Sequence, residues 1–134
     1  METHLTFIGI LLVILAIIHV FFPSYFKWEI ELKSLSLINR QMMTVHTFFI
    51  ALAVLQMGVL CLIAATELTQ THLGKTICLG FGLFWGIRLL FQLFIYSKEL
   101  WKGKAFETVI HILFTILWAY LTLVFLSIFL GTTS

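Results

Sequence analysis

The stretch LTFIGILLVILAIIHVFF, residues 5–22, contains no Asp, Glu, Lys or Arg, and His19 is its one ionisable side chain. A run of roughly 20 apolar residues is long enough to cross the ~30 Å hydrocarbon core of a bilayer as a helix. The helix is the form to expect, because the bilayer core offers the backbone no hydrogen-bond partners and the chain must satisfy its own. Pro23 follows directly and, lacking an N–H, closes the run. Three further runs of the same kind follow, over about 42–65, 73–96 and 106–130. Little of the 134-residue chain remains for a soluble domain.

Composition agrees with that reading. Hydrophobic residues make up 61% of the chain and charged residues only 10%, against about 25% charged in soluble domains. The mean hydropathy is +1.10. The chain therefore reads as a single all-α integral membrane domain over residues 1–134, an up-down bundle of four transmembrane helices. The leading METH carries no Lys or Arg, and no small-residue cleavage pattern follows the first run, so this helix is expected to stay in the mature protein rather than act as a signal peptide.

The connections set the expected topology. Lys27, Lys33, Arg40, Lys98, Lys102 and Lys104 lie in the first and third links, whereas the opposite side offers only Lys75. By the positive-inside rule, loops one and three face the cytoplasm and both termini lie outside. The net charge of +2 is accounted for by this asymmetry and points to no nucleic-acid partner. TELTQTH (66–72) reads as a tight turn and SKELWKGKA (97–105) as a short link, making helices two, three and four antiparallel neighbours. The longer link 24–41 places Trp28, Leu32, Leu35 and Ile38 at helical spacing, as in an interfacial segment between helices one and two. Whether it caps the bundle is left open by the sequence.

Small residues mark close packing. Cys78, Gly82 and Gly86 stand four apart on helix three, a face suited to a neighbouring helix or to a second copy of the chain, and Thr47, Ala51 and Gly58 offer a similar face on helix two. Cys61 and Cys78 lie near the outer ends of helices two and three and read as buried thiols, with a disulfide as the alternative.

The polar residues inside the spans are the candidate functional groups, because such side chains are costly at bilayer depth. At about 1.5 Å per residue, His19 on helix one, His46 on helix two, Gln92 on helix three and His111 on helix four fall at a common level in the cytoplasmic leaflet. Arg88 sits one turn from Gln92. Trp85, Arg88, Gln92 and Tyr96 form one polar-aromatic stripe, and Glu107, His111, Thr115, Trp118 and Thr122 form another, so the two are expected to face each other. Arg88 calls for a partner, with Glu107 or a bound anion the leading candidates.

Three uses follow. Neutral imidazole is an axial haem ligand, so His46 and His111 could hold a haem b, with Arg88 and Gln92 beside it. His19, His46 and His111 with Glu107 supply donors for a copper, iron or zinc site. Both give a redox role. The alternative is a non-enzymatic accessory subunit of a larger membrane complex, or a module that binds lipid or quinone. No phosphate-binding loop, nucleophile elbow or HExxH sequence is present, and the pattern assigns no enzymatic activity.

At INRQMMTVH, FWGIRLLFQLFIY and LWKGKAFETVIH, the chain resembles a group of small uncharacterised bacterial proteins with four transmembrane helices. That resemblance implies a four-helix membrane fold in the bacterial inner membrane and implies no function.

Overall fold

The computed structural model describes residues 2–95 and 103–131, and within them the chain is helical with no strand. Its elements are α1 (Glu2–Val20), α2 (Phe22–Tyr25), α3 (Trp28–Glu31), a 3₁₀ turn (Leu32–Ser34), α4 (Leu37–Ile63), α5 (Ala65–Gln70), α6 (His72–Phe94) and α7 (Ala105–Leu130). Four of them, α1, α4, α6 and α7, are long and apolar enough to cross a membrane. These correspond to the four runs read from the sequence.

The boundaries differ where polar chemistry competes with hydropathy. α4 starts at Leu37 rather than near residue 42, because Ser36 caps it: the Ser36 hydroxyl accepts the Asn39 N–H at 3.4 Å. The polar residues Asn39, Arg40 and Gln41 thus extend the apolar span as helix. Pro23 does not simply stop α1. It stands in the first turn of α2, where its missing N–H leaves no hydrogen bond unmade. Lys27, with φ of 55°, breaks the chain between α2 and α3. The 24–41 link is therefore a series of short helical turns followed by the start of α4. Residues 66–72 form most of α5 rather than a tight turn, and Thr71 caps α6 by accepting the Gly74 N–H at 2.9 Å.

The chain divides into two compact units. In the unit spanning Leu5–Ala65, α1 buries Leu5, Ile8, Leu12, Leu15 and Ala16 at helical spacing, and α4 buries Ala51, Val54, Gly58 and Cys61. The two helices meet backbone to backbone at Gly9 and Gly58. A methyl group added to Gly58 would lie 3.0 Å from the Gly9 carbonyl oxygen and 3.1 Å from Leu12 Cβ. Such close approach is how helices associate where lipid supplies no hydrophobic drive. Gly58→Ala is expected to lower stability by about 1–2 kcal/mol, read as an earlier unfolding transition when the detergent-solubilised protein is titrated with a denaturing detergent.

In the other unit, which holds residues 2–4 and the chain from Thr66 onward, α6 and α7 pack as an antiparallel pair. Gly82 faces Leu126, Phe81 meets Phe125 and Gly86 faces Thr122. The Gly82/Gly86 face is thus covered by α7 of the same chain. Thr66 donates a hydrogen bond to the Glu2 carboxylate, and His4 Nδ1 lies 2.7 Å from the Tyr120 hydroxyl, so the first turn of α1 is tied to this unit. Cys61 and Cys78 are both buried thiols, with no disulfide between them. The Cys78 thiol points at the Leu68 carbonyl oxygen, 3.8 Å away.

Candidate functional site

The polar stripes of α6 and α7 do face each other. Gln92 is the one buried polar or charged residue among those described, at 6% exposure. Its side-chain amide nitrogen lies 3.0 Å from His111 Nδ1 and 3.4 Å from the His111 carbonyl oxygen. A carbonyl oxygen can only accept, so the group facing it is the NH₂ and both bonds are donated by Gln92. Thr115 donates to the same carbonyl at 2.8 Å.

That bond decides the state of the imidazole. Because His111 Nδ1 accepts from Gln92, the neutral ring carries its proton on Nε2. Histidines that bind metal commonly do the reverse, donating from one nitrogen to a carbonyl or carboxylate and leaving the other as the ligand.

One to two turns along the same pair, Trp85 and Trp118 stack with ring centroids 5.0 Å apart and an interplanar angle of 8°. Phe114 continues the stack on Trp118 at 5.5 Å. Arg88 Cζ lies 5.2 Å from the Trp118 ring centroid. Arg88 thus makes a cation–π contact with an aromatic face, whereas Glu107 stands exposed in the first turn of α7. The indole N–H groups of Trp85 and Trp118 are buried and have no hydrogen-bond partner. A buried donor left unmatched costs about 1–3 kcal/mol, so these two are the site's unspent polar capacity.

The remaining residues are placed as follows. Tyr96 lies outside the described residues. Thr122 turns back onto its own helix, donating to the Trp118 carbonyl at 2.7 Å. His19 is half-buried on α1, with Nδ1 2.8 Å from the Leu15 carbonyl and its ring 4.7 Å from Phe22. His46 is exposed on α4. These two belong to the Leu5–Ala65 unit, whereas Arg88, Gln92, Glu107 and His111 belong to the other. Among the described residues, no group of three or more His, Cys, Asp or Glu side chains is gathered as a metal site would need.

The Trp85–Trp118 stack was not read from the sequence, although the two residues were placed on facing stripes. Nor was Gly9, which has no small residue at spacing four to mark it. No family model, curated protein or solved structure matches this chain.

Proposed function

We propose that this chain is an integral membrane four-helix protein that binds a lipid-soluble ligand through the ligand's hydrogen-bond acceptors, at the stacked pair Trp85 and Trp118. The observation that carries this reading is the pair of buried indole N–H groups without partners, those of Trp85 and Trp118, in a stack that the Arg88 guanidinium overlies. Both of these groups donate. A ligand that complements them offers carbonyl or oxyanion acceptors on an apolar body, as a quinone or an anionic lipid does. A haem or a metal would need an imidazole lone pair, which the Gln92 bond leaves least available at His111. The site is a binding module, and no bond-making step is assigned to it.

The membrane setting belongs to the same proposal. Four apolar helices and the clustering of Lys and Arg in the first and third links support an up-down bundle in the inner membrane, with both termini outside.

The test begins with purification in mild detergent, extraction of bound quinones and lipids, a visible spectrum and a metal determination. Retained quinone or anionic lipid is expected. A Soret band, or stoichiometric copper, iron or zinc lost on His111→Ala, would overturn the reading in favour of haem or metal. Trp85→Phe supplies a sharper arm: it removes one of the two indole N–H groups, so ligand occupancy is expected to fall about tenfold, the equivalent of one hydrogen bond of ~1.4 kcal/mol. Unchanged occupancy would take Trp85 out of the site.

A further inference from the structure

The first turns of α4 carry polar groups that the α6–α7 stripe does not use. Leu37, Arg40, Gln41, Thr44 and Val45 line a shallow, open groove of about 420 Å³ along one face of α4. Arg40 is half-buried, and its Nε is fully buried with no hydrogen-bond partner. The backbone around it is already satisfied: Arg40 N–H donates to the Ser36 carbonyl at 3.0 Å, and the Arg40 carbonyl accepts from Thr44 at 3.3 Å. The nearest acids in sequence, Glu29 and Glu31 of α3, are exposed and do not line the groove.

A guanidinium nitrogen withdrawn from solvent without an acceptor is costly. The planar fork of arginine matches the oxygens of a phosphate better than any other common anion in a membrane interface. Gln41 and Thr44 add polar lining beside it, whereas Leu37 and Val45, together with the exposed Ile38 and Met42, offer an apolar surface of the kind an acyl chain covers. A free phosphate would leave that surface bare. We infer that this groove binds the phosphodiester of an anionic lipid, with Arg40 as the residue that holds it. The inference rests on the membrane setting proposed above and is independent of the ligand at the α6–α7 stripe.

The experiment places the full chain in nanodiscs of phosphatidylcholine and phosphatidylglycerol in equal parts and counts retained lipids by native mass spectrometry. The wild-type chain is expected to retain phosphatidylglycerol in preference. Arg40→Gln should reduce that preference about tenfold, the loss expected for one charge-assisted contact. Lys33→Gln, which removes a cation of the same link outside the groove, should leave it intact. Helical circular dichroism confirms that each variant is folded. Equal losses in the two variants would overturn the inference in favour of diffuse surface attraction, as would the absence of any preference in the wild type. Binding of inorganic phosphate to the detergent-solubilised chain that depends on Arg40, without lipid retention, would overturn the lipid as its source. A chain that fails to enter nanodiscs would overturn the membrane setting itself, whereas one that enters without preference overturns only this site.

Discussion

Replacing Gly74 by alanine is expected to be the most damaging single-methyl change in the chain. Gly74 lies in the first turn of α6, where α5 doubles back. A Cβ at this position would overlap the Glu67 carbonyl oxygen and lie 2.5 Å from Leu68 Cα. Both are backbone atoms, so no side-chain rotation relieves the clash. The corner is held from three directions: Thr71 accepts the Gly74 N–H, donates its hydroxyl proton to the Glu67 carbonyl at 2.7 Å, and donates its own N–H to that carbonyl at 3.0 Å. Moving α5 away to admit a methyl would break this arrangement and expose Leu68, which is only 2% accessible. A loss of about 3 kcal/mol or more is expected, at the upper end of overpacking costs. Gly80→Ala is the control. Nothing lies within 4 Å of its added methyl, and alanine is the better helix former by about 1 kcal/mol, so this variant should unfold no earlier than wild type.

Trp118→Ala has the second largest expected effect, and it acts on stability and on ligand together. Trp118 is 4% exposed and sits at the centre of the stack with Trp85 and Phe114, beneath Arg88. In a water-soluble core such a truncation costs about 3–5 kcal/mol. Part of that is transfer from water, which shrinks where the surroundings are lipid rather than water. The lost stacking, of roughly 1 kcal/mol, and the lost cation–π contact, of similar size, persist, as does the cavity. About 3 kcal/mol is expected, measured by detergent-induced unfolding. Trp118→Phe separates the two roles. It keeps an aromatic ring in the stack and removes the indole N–H together with one ring of the bicycle, so stability should fall by about 1–2 kcal/mol, less than in Trp118→Ala, while retention of the quinone or lipid falls. Retention unchanged in Trp118→Phe would take that donor out of the binding site.

Much of the architecture was legible without coordinates, and the reasons are physical. A helix long and apolar enough to cross a hydrocarbon layer announces itself by length and hydropathy, so α1, α4, α6 and α7 were each visible to within a few residues. The larger error, at the start of α4, came where Ser36 and the polar turn containing Arg40 extend a helix beyond its apolar part. The facing of the α6 and α7 stripes was also legible, because short connections force neighbours and helical periodicity assigns faces. The expectation of a common level for His19, His46, Gln92 and His111 rests on a count of residues. A count gives height along a helix and says nothing of which side chain meets which.

What the sequence determined by itself is therefore the four apolar helices and the list of polar side chains that need a reason to be there. What only the tertiary structure decided is how those side chains are partnered. Gln92 donates to His111 and so chooses its tautomer; Arg88 finds the Trp118 ring rather than Glu107; Gly9 and Gly74 prove to be points where backbone meets backbone. Each of these depends on an approach of a few ångströms between residues distant in sequence. Hydrogen bonds, cation–π contacts and steric overlap are all settled over that distance, and no spacing along one chain encodes it.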